Sequence, residues 1–406
     1  MPKSTSKTTT TTANDNRGRQ ERKPKAESED LPANKKPRPV SDSDSSEKEP
    51  EIHNRINEVL ASIYYDINYV CILRNIKRWD PTPQRVAFYR LQYHESAILL
   101  DRVVGHALDP EKYPLDPRGP LRRLQPFVEE FGWKMLAICM LAEGFRRACR
   151  ELHDPSLWEK LISKIKENER SIEVFARSRD LEWRGLLMKY AHLGIPTLDA
   201  ALRPMRSMSE QHPHNVFQAI DQKIKRPWFE RAPQVHIDEP VFDADRWEGK
   251  PNPTARRPSH GRCDLCSSPE ICNCVLDFSS GCLVELVERP LTGTGVRALT
   301  NFKEGDILGE FIGEICPVDF NDDPVYLLAV EAKTKPRDYI ASISPRRYGN
   351  WTRYLAHSCN ASAFFESMTI GKRVMMTVQA YRDISAFEDI TVDYGEDYWK
   401  HREFQH

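Results

Sequence analysis

The sequence lacks a long apolar run. Its most apolar stretch lies between Lys134 and Glu143, well short of the roughly 18 residues that a membrane-crossing helix needs. No apolar core follows the first residues, so no secretory leader is expected. Net charge is nearly absent too, -1 from 59 Lys+Arg and 60 Asp+Glu, so any signal for nucleic acid or a membrane surface must be local. The hydrophobic content of 39% is low for a fully folded chain, which predicts a disordered part. These absences predict a soluble, intracellular protein. In that compartment its ten cysteines are not expected to form disulfides.

What is present divides along the chain. Residues 1-50 hold a Thr run (Thr8 to Thr12), repeated Lys, Pro, Ser and Glu, and few large apolar residues. Such a segment buries too little surface to offset its ordering entropy, so a disordered arm is expected. Two basic clusters sit in it, Arg22-Lys23-Pro24-Lys25 and Lys35-Lys36-Pro37-Arg38, and an acidic Ser-rich run from Ser41 to Glu49 follows. The clusters resemble a bipartite nuclear localisation signal, which predicts residence in the nucleus.

Residues 51-225 read as an all-helical domain. Phe131, Met135, Ile138, Ala142, Phe145, Cys149 and Leu152 recur at spacings of three and four, which puts them on one helix face. Asp154-Pro155 reads as an N-cap followed by Pro at the first helical position. Further helices are expected over 54-74, 83-106 and 171-192. His94, His106, His153 and His192 are scattered and read as packing or surface residues. No chemical motif stands out, so this region is expected to be an interaction or stabilising module whose partner is unknown. Residues 226-262, rich in Pro, Arg and Asp, read as a linker or an extended wrapping segment.

Five of the ten cysteines fall within 263-282, as Cys263, Cys266, Cys272, Cys274 and Cys282. Zinc takes four soft ligands in a tetrahedron, and close Cys pairs supply two from one turn. Cys263 and Cys266 form such a pair. The second pair is expected from among Cys272, Cys274 and Cys282, which implies one structural zinc. Basic residues do not interleave with the cluster, which argues against a nucleic-acid module.

Beyond Cys282 the texture changes to short strands between turns: 284-287, 296-299, 307-312, 325-330 and 374-378. Four motifs follow in order. They are Thr292-Gly293-Thr294-Gly295-Val296-Arg297, Gly309-Glu310-Phe311-Ile312-Gly313-Glu314, Gly349 to Asn360 with Arg353-Tyr354-Leu355-Ala356-His357-Ser358-Cys359 inside it, and Asp389-Ile390-Thr391-Val392-Asp393-Tyr394-Gly395. Taken in this order, residues 283-406 resemble the SET domain of protein lysine methyltransferases, and 263-282 a reduced form of the zinc-binding pre-SET segment. The fold class implied is α+β, an all-helical N-terminal region followed by a mainly-β SET domain. In that family a pseudoknot brings distant motifs to one site.

The resemblance also implies roles. Tyr394 aligns with the catalytic tyrosine, and Tyr326 matches a second channel tyrosine. Gly293, Thr294, Gly295, Tyr339, Arg353, Ala356, His357 and Trp399 fall at positions that bind S-adenosyl-L-methionine. Phe365 and Val392 fall on the substrate channel, where the family often has Phe or Tyr at the Val392 position. Two departures stand out. Ala356 replaces an Asn, and the chain reaches His406 without a cysteine-rich post-SET tail. Cys359 thus lacks its usual zinc co-ligands, and Tyr398 and Trp399 are expected to close the site instead.

The reading is an S-adenosylmethionine-dependent methyltransferase acting on a lysine of a histone or other nuclear protein, with no membrane and no direct nucleic-acid contact. The alternative is a catalytically weak or inactive SET-like scaffold that binds chromatin.

Overall fold

A computed structural model describes residues 48–79, 82–116, 119–195, 198, 212–213, 216–229, 232–276, 278, 281, 283–318, 327–331 and 339–400. The two basic clusters, Cys282 and Tyr326 lie outside the described residues.

Seven helices make up the described N-terminal part: α1 (Lys48–Trp79), α2 (Pro83–Leu108), α3 (Leu121–Met140), α4 (Glu143–Glu151), α5 (Pro155–Glu167), α6 (Glu169–Ser178) and α7 (Arg184–Met188). Along α1 the buried residues Ile56, Leu60, Ile63, Tyr64, Ile67, Val70 and Cys71 repeat at three and four, the spacing of one helix face. The Asp154 carboxylate accepts the Ser156 N–H at 2.9 Å, and Pro155 opens α5. This satisfies one of the helix's orphan donors.

Two expected helices are interrupted. The apolar stripe from Phe131 to Leu152 is split between α3 and α4, and Gly132 kinks α3 at φ 77. The Asp66 carboxylate, far upstream on α1, receives the N–H groups of Glu143 and Gly144 at 2.8 and 3.4 Å. It thereby caps a new helix where periodicity alone continues the old one. The 171–192 stretch likewise breaks after Ser178, with Asp180 at φ 51.

Helix α1 meets α4 where the Ser62 side chain packs on the bare Cα of Gly144. A Cβ on Gly144 would stand 2.0 Å from Ser62 Oγ and 2.6 Å from Ser62 Cβ. Gly144→Ala is therefore expected to force the helices apart and cost about 1–3 kcal/mol, the range for overpacking a tight contact. Urea unfolding checks this, and unchanged stability would show that the contact yields freely.

Residues 216–225 are not helical. Val216–Gln218 (β1) and Ile224–Lys225 (β2) are strands, and β1 runs parallel to Val284–Arg289 (β7). The helical stretch is thus shorter than 51–225 at its C-terminal end, because Val216, Phe217 and Ile224 find a sheet edge contributed from much later in the chain. The Pro-rich stretch wraps rather than links. Within it lie β3 (Trp228–Phe229), β4 (Ala232–Pro233), β5 (Val235–His236) and β6 (Val241–Phe242). β5 pairs in parallel with β13 (Tyr348–Gly349), and β6 with β10 (Glu314–Cys316).

The remaining strands are β8 (Gly293–Ala298), β9 (Ile307–Glu310), β11 (Leu328–Glu331), β12 (Tyr339–Ser344), β14 (Ala356–His357), β15 (Ala363–Ile370), β16 (Arg373–Ala380) and β17 (Asp389–Val392). The main sheet runs β2-β1-β7-β8-β17-β15-β16-β9, with β14 also on β17, and a second runs β11-β12-β10-β6. The late strand β17 sits between early ones. It is antiparallel to β8 and parallel to β14 and β15. That insertion carries Asp393-Tyr394 up against His357. One hydrophobic core runs from Ile56 on α1 to Val392 on β17, so helices and sheets share an interior. The architecture is α+β.

Candidate active site

The site is built around Tyr394, just past the end of β17. Its hydroxyl donates to the Leu355 carbonyl at 2.7 Å, and its backbone N–H donates to His357 Nδ1 at 3.2 Å. An Nδ1 that accepts leaves the proton of a neutral imidazole on Nε2. That nitrogen faces Cys359 Sγ at 3.5 Å. Asp393 turns back on the loop, where its Oδ1 accepts the Gly395 N–H at 2.9 Å.

Aromatic rings wall the site. Tyr394 lies 5.4 Å from His357 and 4.6 Å from Tyr398, centroid to centroid, and Trp399 lies 4.9 Å from both His357 and Tyr398. Across the opening, Phe365 meets Phe311 edge-on at 5.2 Å. Between them is a cavity of ≈ 140 Å³ lined by Phe311, Leu327, Leu328, Pro345, Thr352, Arg353, Leu355, Phe365, Asp393, Tyr394 and Tyr398. The lining is mostly apolar, with Thr352, Arg353, Asp393, Tyr394 and Tyr398 as its polar residues.

The turn Trp351–Tyr354 holds this wall in place. Asn350 caps it, accepting from Thr352 N at 3.1 Å and Thr352 Oγ1 at 2.6 Å. The other end of the same amide donates to the Glu310 carbonyl at 2.9 Å. This ties the third motif to the second. Arg353 donates to the Arg346 carbonyl at 3.2 Å, and Gln234 from the wrapping segment is turned so that its amide oxygen accepts from Arg353 Nε at 3.2 Å. Sequence alone gave Gln234 no role. Glu310 itself is buried against Arg373 at 2.8 Å, and burial pushes its carboxyl above the usual range.

Tyr394, Arg353 and Phe365 thus line one cavity, and His357, Trp399 and Ala356 sit beside it. Val392 is fully buried in the core behind β17 and does not line the cavity. Tyr339 on β12 is half-exposed and does not line it either. Gly293, Thr294 and Gly295 lie on β8, which packs against the Trp351–Tyr354 turn. A Cβ on Gly293 or Gly295 would meet no atom within 4 Å, and Gly293 has φ 72. The backbone there borders open space, which leaves room for close approach to the main chain.

Four thiols gather elsewhere. The Sγ atoms of Cys263, Cys266, Cys272 and Cys274 all lie within 4.8 Å of one another. Burial raises the Cys263 thiol, but backbone N–H groups of Gly371, Cys266 and Leu265 outweigh it and bring it down to about 6. The loop is laced to the β15–β16 turn. Arg256, itself buried, donates to the carbonyls of Gly371, Gly261 and Ser268 at 3.2, 3.1 and 2.8 Å. Asp264 and Thr369 exchange two bonds at 2.8 and 2.7 Å.

Comparison with known proteins agrees with this geometry. The SET domain family profile matches residues 293–395. A SET domain-containing protein of Phaeosphaeria nodorum is 27% identical over 296 residues, covering 66% of this chain and 45% of its own length. That likeness reaches well beyond the profile, into the region ahead of it. A histone-lysine N-methyltransferase, H3 lysine-36 specific, of Candida albicans is 28% identical over 120 residues, 28% of this chain and 14% of that protein. Histone-lysine N-methyltransferase NSD3 of Mus musculus is 24% identical over 119 residues, 28% and 8% respectively. The chain spans less than half the length of each. Residues 293–395 of this chain are a SET domain, of the kind carried by histone-lysine methyltransferases.

Proposed function

We propose that this chain is a protein lysine methyltransferase that uses S-adenosylmethionine and acts in the nucleus on a histone tail. The observation that carries the reading is the Tyr394 hydroxyl, fixed on the Leu355 carbonyl inside an aromatic-walled cavity. A lysine amine must be neutral to attack, whereas a free one has a pKa of about 10.4. Apolar walls formed by Phe311, Leu328 and Phe365 disfavour the ammonium form. The paired oxygens of Tyr394 and Leu355 then orient the amine.

The open backbone at Gly293 and Gly295 fits S-adenosylmethionine, with Thr294, Arg353, Ala356, His357, Tyr339 and Trp399 completing its surroundings. When bound, that cofactor supplies an electrophilic methyl group. Ala356 offers no amide to it. One absent hydrogen bond is worth roughly 0.5–1.5 kcal/mol, enough to weaken binding but not to prevent it. Nuclear residence rests on the basic clusters at 22–25 and 35–38, and the histone substrate on the relatives' names.

The test is transfer of label from tritiated S-adenosylmethionine to a histone mixture. Labelled histone lysine is the expected result. Cofactor binding without transfer to any protein would favour the scaffold reading instead.

The thiol cluster is proposed to hold one zinc through Cys263, Cys266, Cys272 and Cys274. Thiolates ~2.3 Å from one tetrahedral zinc stand roughly 3.8 Å apart, and Cys266 and Cys272 already stand 3.5 Å apart. Elemental analysis should find about one zinc per chain, retained in Cys282→Ser and lost in Cys263→Ser/Cys266→Ser. Full zinc in that double variant would refute this ligand set.

A further inference from the structure

Arg297 belongs to the glycine motif by sequence, yet its side chain bonds to Glu285 on β7 and to Asn168 between α5 and α6. Its Nε and one terminal nitrogen donate to Glu285 Oε2 at 2.9 and 2.7 Å, and that nitrogen also reaches Asn168 Oδ1 at 2.8 Å. The guanidinium lies between the rings of Phe217 at 5.3 Å and Phe387 at 5.6 Å. The other Glu285 oxygen receives the Ser171 hydroxyl at 2.7 Å. Ser171 has one proton and has spent it there, so Tyr64, 2.8 Å away, is the donor in their bond. Tyr64, Asn168, Ser171 and Glu285 are all buried, so none has water as an alternative partner.

The chain of bonds therefore starts on α1, passes through α6 and the α5–α6 junction, and ends on β8. Arg297 stands two residues past Gly295, on the same strand face. The glycine end of β8 is paired on one edge only. Strand β17 pairs only with Val296 and Arg297, leaving Gly293 to Gly295 bonded along one edge, to β7. The glycines contribute no side chain, and Leu291 in the adjoining turn is 98% exposed.

We propose that the helical region positions the Gly293–Gly295 cradle through this network, with Arg297 as the positioning residue and Asn168 and Ser171 as its supports. The idea rests on the methyltransferase reading, because it assigns the cradle to S-adenosylmethionine. It gives the helices a role in the site without any contact to a substrate.

The test compares Ser171→Ala with Tyr190→Phe in the full chain. Both remove one hydroxyl from the helical part, but only Ser171 belongs to the network, whereas the Tyr190 hydroxyl donates to Asp101 on α2 at 2.6 Å. Two measurements are made, amide hydrogen exchange at 293–296 without ligand and calorimetric titration with S-adenosylhomocysteine. Ser171→Ala should speed exchange there and raise Kd by about fivefold or more, the lower end of ordinary coupling between sites. KM for the protein substrate should hold, and Tyr190→Phe should move neither quantity. Exchange and Kd unchanged in Ser171→Ala, or shifted equally by Tyr190→Phe, would overturn the proposal while the methyltransferase reading stood. A wild-type chain that binds no S-adenosylhomocysteine would remove both.

Discussion

Tyr394→Phe should lower the rate of methyl transfer about a hundredfold or more while leaving the fold in place. The substitution keeps the ring, and with it the contacts to His357, Tyr398 and Trp399. It removes one hydroxyl and its bond to the Leu355 carbonyl, a stability loss of only about 0.5–1.5 kcal/mol. The effect on chemistry is larger for a geometric reason. The bond to Leu355 fixes the hydroxyl, and both residues line a cavity shared with the apolar Phe311, Leu327, Leu328 and Phe365. Removing one preorganised polar group from a water-poor site typically costs 10²–10³ in rate, on the order of 3–4 kcal/mol. The cofactor cradle lies on β8, so binding of S-adenosylhomocysteine should change little. Single-turnover transfer and calorimetric binding separate the two quantities. Equal transfer by the wild type and Tyr394→Phe would mean that the hydroxyl orients nothing.

The site was legible in sequence to the extent that its residues are neighbours in sequence. Arg353, Leu355 and His357 fall within one short segment, and the turn they share is capped by Asn350 of the same motif. The meeting of that segment with Tyr394 is a topological fact. It depends on β17 entering between β8 and β15 and pairing with β14, which no local pattern signals. Helix ends failed for the same reason: Asp66 restarts a helix many residues downstream, and the apolar stripe runs through the break unchanged. The family resemblance puts Val392 on the substrate channel. In the structure its side chain falls on the core side of β17, and the ring wall is supplied by Phe365 and Tyr398. Asn168 and Ser171 had no signal at all. A lone Ser on a helix face reads as ordinary packing until Glu285 is found opposite it.

The largest stability effect is expected at that same contact. Glu285→Ala should destabilise the chain by about 3–5 kcal/mol, the cost of removing one partner of a buried ion pair. The Arg297–Glu285 contact at 2.7 Å leaves their side chains only 11% and 3% exposed. Burial alone would weaken the charge on Arg297, and the Glu285 carboxylate more than offsets it. Without that carboxylate the guanidinium keeps Asn168 and two ring faces but has no carboxylate in hydrogen-bond contact. Ser171 loses its acceptor as well. Glu285→Gln keeps the shape and an acceptor, and should cost less than Glu285→Ala. The double change Glu285→Leu/Arg297→Met should cost less than Glu285→Ala too, since a well-packed apolar pair leaves no charge stranded. This ordering separates the penalty for an orphaned charge from the loss of packing. Urea unfolding of the four chains measures it. A double variant as unstable as Glu285→Ala would show that packing, not the stranded arginine, sets the cost.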